Sequence, residues 1–151
     1  MVRGRARGAL ETKSRKRLRR RAVRISSASA SIDNEWSVVI TDDDEVRRLN
    51  AEYRDINETT DVLSFSLDLP EIPGEPQPLG EVIISSEQAA RQAPGGDLEA
   101  EIVRLMVHGL CHLRGYDHHR VKERAEMACE ENRLLALFGL EAGLVVRSED
   151  V

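Results

Sequence analysis

All four histidines of the 151-residue chain, His108, His112, His118 and His119, fall within one short stretch. Imidazole is the commonest side-chain ligand for metals that prefer nitrogen. Residues 103–113 are mostly apolar and contain no Pro, so the spacing predicts a helix. On it, His108 and His112 stand about 40° apart around the axis and about 6 Å apart along it, on one face. Gly115 sits where a left-handed residue would end that helix and turn the chain back. The turn lets His118 return a third nitrogen toward the first two. Three neutral nitrogens with a fourth position left to water form the ligand set of a catalytic zinc rather than a closed structural one. One Zn2+ per chain is therefore expected, held by His108, His112 and His118, with His119 at the rim.

The pair at i, i+4 is explained equally well by a hydrogen bond between two rings, and it is the histidine after Gly115 that favours a metal. The spacing His-x3-His-x2-Gly-x2-His repeats the metzincin arrangement, except that Gly109 stands where a metallopeptidase carries its general-base Glu. Zinc is expected, and peptide hydrolysis is disfavoured.

The elements that must position these groups can be traced along the chain. Leu10 to Ile25 predicts a helix with Leu18, Ala22 and Ile25 on its buried face, followed by a Ser- and Ala-rich connector over 26–34. Trp36 to Thr41 has the β-branched bias of a buried strand. Thr41-Asp-Asp-Asp44 then offers cap oxygens and negative charge to a helix whose apolar stripe is Val46, Leu49 and Tyr53 and which ends near Arg54. Strands are expected over 61–67 and 80–85, joined by a loop holding Pro70, Pro73, Pro76 and Pro78, which is more simply a long hairpin connection than a lid. Ser86 should cap a short helix through Gln92, and Asp97 should cap the histidine helix, with Leu98, Ile102, Leu105, Met106 and Leu113 as its stripe. A last helix over 122–138 carries Ala125, Ala128, Leu134, Leu135 and Phe138 as its core face, with Gly139 behind it. The expected fold class is α+β: a single domain with a small mixed β-sheet covered by helices, one of them a zincin-like metal helix.

The blocks His108-Gly-Leu-Cys-His112-Leu-Arg-Gly-Tyr-Asp-His118, Tyr53-Arg54, Thr60-Asp-Val-Leu-Ser-Phe65 and Leu79-Gly-Glu-Val-Ile-Ile-Ser85 together resemble, in order, the signatures of the YbeY family of bacterial endoribonucleases that mature ribosomal RNA. The resemblance spans roughly residues 36 to 140. Glu81 departs from the family's usual Asp, and residues 55–59 lack its usual Gly and Lys. The resemblance implies a zinc-dependent single-strand endoribonuclease acting on the 3′ end of small-subunit ribosomal RNA and in ribosome biogenesis. It implies as partners ribosomal RNA, the small ribosomal subunit and ribosome-associated proteins. It also places Arg54 at the active cleft, where a guanidinium could stabilise charge at a phosphate, so the catalytic set it implies is Arg54, His108, His112 and His118. Arg114 and Arg120 could hold RNA backbone, and Asp117 could orient a histidine proton. The alternatives are a non-catalytic ribosome-assembly factor with a structural zinc and, less favoured, a zinc metallopeptidase.

Composition bounds the rest. One core and one domain suit this length, with residues 1–9 as a flexible basic arm and 10–151 as the domain. No run approaches a membrane span. Cys111 and Cys129 sit in helical contexts that predict buried, reduced thiols, and a cytoplasmic location follows from so little cysteine. Aromatic residues make up 3%, so the core must be aliphatic and base stacking is not expected to carry RNA binding. The net charge of −5 hides a polarity: residues 1–24 hold 11 Lys and Arg against Glu11, leaving 11 bases and 26 acids in the remainder. That basic start is either a footprint for RNA phosphates or a solvated arm.

Overall fold

A computed structural model describes residues 2–4, 11–29, 34–67, 69–70, 72–116 and 120–141. Its strands owe their two faces to alternating β-branched residues. In β2 (Asn34–Thr41) and β4 (Gln77–Ser85), Val38, Ile40, Val82 and Ile84 join the main core, while Val39 and Ile83 serve a smaller cluster on the other side, as a two-residue period requires. Short β1 (Val2–Gly4) lies parallel to β2, β2 lies parallel to β4, and β3 (Val62–Ser66) runs antiparallel to β4, in the order β1-β2-β4-β3. Val82 faces Val38 on one side and Ser64 on the other, which puts it at the middle of this mixed sheet. Of the nine residues expected as a basic arm, three are thus placed on the sheet edge, and residues 5–10 lie outside the described residues.

β3 and β4 are antiparallel neighbours, so the proline-bearing segment between them is a long hairpin connection. Pro78 falls inside β4 rather than in the loop. It sits opposite Glu35, at a shift in register and beyond the reach of β3's pairing, where a missing N–H is tolerated. Gly80 has φ 140°, and a Cβ there would stand 2.0 Å from the Phe65 carbonyl oxygen, so only glycine fits.

The small cluster is roofed by α2 (Asp43–Arg54), whose N-cap Asp42 accepts a hydrogen bond from the Glu45 N–H at 2.9 Å. Val46 is buried there as predicted, but Tyr53 is 64% exposed. It meets Phe65 edge-on with ring centroids 5.5 Å apart, and because β3 is the edge strand that contact covers only part of the ring. Over the other face lie α1 (Thr12–Ser29), α3 (Ser86–Gln92), α4 (Leu98–Leu113) and α5 (Val121–Leu135). α1 buries Leu18, Ala22 and Ile25 as expected and continues through Ser29, so the first four residues of the expected connector are helix. Ala28 is a strong helix former packed on the core, and burial of Ser29 outweighs its modest propensity. α3 begins one residue earlier than predicted, with Ser85 rather than Ser86 as its cap.

α4 is the centre of the molecule. Asp97 caps it by accepting from Ala100 N–H at 3.1 Å, and burial runs around most of its circumference instead of along one stripe, as befits a helix enclosed on several sides. α5 turns differently from the sequence expectation. Ala125 and Ala128 are exposed, and Met127, Glu131, Leu134 and Leu135 face inward. Cys111 is buried, where desolvation pushes its thiol far up and makes it inert, whereas Cys129 is exposed on α5, contrary to expectation. Among the described residues no helix is long and apolar enough to cross a membrane.

Candidate metal centre

Glycine brings the histidine helix down onto the sheet. A Cβ at Gly109 would lie 2.6 and 2.8 Å from the two Val82 methyls and 3.3 Å from Ser64 Oγ, so α4 and β4 touch where any larger residue would hold them apart. The Ser64 hydroxyl donates to the Gly109 carbonyl at 3.4 Å. His108, next along the helix, is 2% exposed, and His112 one turn on is half-buried. Their rings meet edge to face with centroids 4.7 Å apart, and the two Nε2 atoms converge to 3.2 Å.

That separation suits a shared metal. Two nitrogens each about 2.0 to 2.1 Å from a tetrahedral zinc stand about 3.3 Å apart. It would also suit an N–H···N hydrogen bond, and Glu131 weighs on the choice. Its carboxylate lies 3.4 Å from His108 Nδ1, on the ring edge away from His112. A carboxylate on that side favours the tautomer with its proton on Nδ1, which leaves the Nε2 lone pair for a cation, the arrangement in which metal-bound histidines are held. The spacing of His108 and His112 therefore fits a shared zinc ion, and among the described residues these two are not joined by a third ligand.

Helix α4 ends as its sequence predicts. Gly115 has φ 91°, its N–H bonds the His112 carbonyl at 3.0 Å, and Tyr116 N–H bonds the Cys111 carbonyl at 3.0 Å. This doubly bonded C-terminal turn reverses the chain. Asp117, His118 and His119 lie outside the described residues. The turn is clamped to α5 by Glu130, which accepts from Arg114 Nη1 at 3.1 Å, Tyr116 Oη at 3.3 Å and Arg133 Nε. Burial pulls the Glu130 carboxyl upward, but these guanidinium donors outweigh it and hold the group below the ordinary carboxylate range. Arg114, expected to reach outward for RNA, is thus engaged within the fold and lies over the Tyr116 ring. Arg120 is exposed at the N-cap of α5.

Arg54 ends α2 and reaches the edge strand. Its Nη2 donates to the Ser64 carbonyl at 3.0 Å, and its guanidinium lies 5.8 Å from the Phe65 ring centroid. Ser64 therefore touches both the arginine and the histidine helix α4, and ties Arg54 to the sheet beside Gly109. Sequence reading missed Glu131, Glu130 and Ser64. A signal for Glu131 did exist, since an acid at the centre of the Met127, Glu131, Leu134 and Leu135 spacing is a carboxylate on an apolar face.

Comparison with known proteins gives a consistent result. The family model described as Endoribonuclease YbeY matches residues 5–139. The chain is 43% identical over 120 residues to an Endoribonuclease YbeY of Heliobacterium modesticaldum, covering 72% of each. To that of Symbiobacterium thermophilum it is 37% identical over 134 residues, covering 83% of this chain and 85% of the relative. A solution structure from Thermotoga maritima superposes with a TM-score of 0.59 at 26% identity, covering 89% of this chain and 87% of that one.

Proposed function

The chain belongs to the YbeY endoribonuclease family, and from that premise we propose that it is a zinc-dependent endoribonuclease that cuts single-stranded RNA in maturing the 3′ end of small-subunit ribosomal RNA. The observation that carries the reading is the convergence of His108 and His112 Nε2 to 3.2 Å with Glu131 behind His108. His108, His112 and His118 would hold one zinc per chain, which when bound supplies a Lewis acid and a water acidic enough to ionise near neutral pH.

The chain's own residues do the rest. Glu131 fixes the tautomer and orientation of His108. Arg54 spends one of its five N–H groups on Ser64 and can turn others toward a phosphate oxygen, where charge grows as the ester is attacked. A stacked A-form duplex cannot easily present a phosphate in line with attack in a small cleft, so the substrate is unpaired RNA. Peptide hydrolysis is disfavoured because the general-base Glu of a zincin would have to occupy position 109, where even a Cβ collides with Val82. The small ribosomal subunit and ribosome-associated proteins are the partners this reading implies, and the cytoplasm is the compartment.

The test is cleavage of single-stranded RNA by the parent and by His112→Ala purified identically. The parent should cut RNA and leave casein intact, and the variant should lose both metal and cleavage. If His112→Ala cuts equally well, the activity is a contaminant and the assembly-factor reading takes its place.

A further inference from the structure

We propose that a groove on α1, remote in sequence from the histidines, is an anchoring site for the phosphates of single-stranded RNA. The proposal rests on the nuclease reading for its choice of polyanion. The groove has a volume of about 450 Å3 and is lined by Arg17, Arg20, Arg21, Arg24, Leu137 and Phe138. It lies on α1 and the turn after α5, elements that contribute none of the proposed metal ligands.

Four arginines at i, i+3, i+4 and i+7 share one helical face, and every adjacent pair is a like-charge pair that weakens the helix. Folding alone gains nothing from this repetition. Arg17 is neutralised by Glu99, with Nη2 to Oε1 at 2.5 Å. Among the described residues no carboxylate pairs with Arg20, Arg21 or Arg24. Arg21 and Arg24 both stand over the Phe138 ring, at 5.5 and 5.3 Å from its centroid. The aromatic face attracts each cation and restricts its rotamers, so part of the ordering that binding requires is already done.

The ligand's character follows from these features. Guanidinium forks match phosphate oxygens two at a time. At 1.5 Å per residue, Arg20 and Arg24 lie about 6 Å apart along the helix with Arg21 between them, so these three guanidinium groups reach beyond one phosphate and suit a chain of them. The guanidinium planes, held over the Phe138 ring, give a flexible unpaired strand surfaces on which its bases can stack.

The experiment measures binding of a labelled oligouridylate by fluorescence anisotropy over a range of salt. It compares the parent, the variant Arg20→Ala/Arg21→Ala/Arg24→Ala, and a control Lys16→Ala/Arg19→Ala on the same helix outside the groove. Thermal melts establish that each is folded. Removing three phosphate contacts should flatten the slope of log affinity against log salt by about two for a single strand, and the control should change it much less. An unchanged slope, an equal loss per charge in the control, or a parent that does not bind the RNA would overturn the proposal. So would a variant that keeps its affinity for RNA and loses it for polyglutamate, which would make the partner an acidic protein. Cleavage is scored separately, so a parent that binds through the groove and does not cut would refute the nuclease reading alone.

Discussion

At the scale of single residues, the candidate centre sets a carboxylate behind an imidazole, with Glu131 Oε2 3.4 Å from His108 Nδ1. Replacing Glu131 by Gln keeps the size and removes the charge beside His108 Nδ1. Zinc affinity should fall about 10- to 100-fold, the usual cost of losing such a partner, read by competition with a chromophoric chelator. Unchanged affinity would show that Glu131 merely fills space. Arg54→Glu tests the other side of the cleft. Its side chain is exposed and bonds only to the Ser64 carbonyl and the Phe65 face among the contacts described, so zinc content should persist. RNA cleavage should drop about 100-fold or more, the scale of losing a donor to developing charge. Arg54→Lys should recover part of it, because an ammonium restores the charge without the fork.

At the scale of elements, the decisive contact is helix α4 on strand β4. Val82 is fully buried and paired on both sides, so it has little freedom to yield to a new methyl 2.6 Å away. Gly109→Ala should therefore destabilise by about 1 to 3 kcal/mol, as overpacking does, even though alanine is the better helix former. A urea titration would show it, and a stabilised variant would mean that the α4 and β4 contact is looser than described. The double variant Gly109→Ala/Val82→Ala should recover part of the loss, since the smaller partner vacates the space.

At the scale of the whole molecule, separate elements are joined by carboxylates held in their charged form. Asp43 on α2 is raised by burial but lowered further by Ser85, Arg91 and Thr59. Glu99 on α4 is lowered chiefly by Arg17 of α1, and Glu130 by Arg133 and Arg114 against the opposing effect of burial. Each folded value lies below its unfolded one. The stability they contribute is fully present above the unfolded values, about 4 to 4.5, and is lost as pH falls through the lower folded values. Melting temperature should accordingly hold from neutral pH to about 5 and then decline. Arg17→Ala should shrink the part of that decline due to Glu99. A melting temperature that rises on acidification would contradict these assignments.

What could be read in the chain alone was whatever depends on near neighbours. The His108 and His112 face, the Gly115 turn, the Asp42 and Asp97 caps and the buried face of α1 all follow from spacing and backbone preference within a few residues. The ordered motif blocks were equally legible, and the proposal of His118 as third ligand rests on spacing alone, since His118 lies outside the described residues. Tertiary structure decided which faces meet. Glu131 reaches His108 across 23 positions, and its charge disguised the inward face of α5, so that Ala125 and Ala128 were read as core in its place. Gly109 reads in the sequence only as a missing catalytic Glu. Its packing against Val82 shows why no side chain fits there, and that depends on the distance between a helix and a strand, which no periodicity encodes. Phe138 likewise joins Arg21 and Arg24 from the far end of the chain. Local order is dictated by chemistry between neighbours, whereas these pairings exist only once the core has closed around α4.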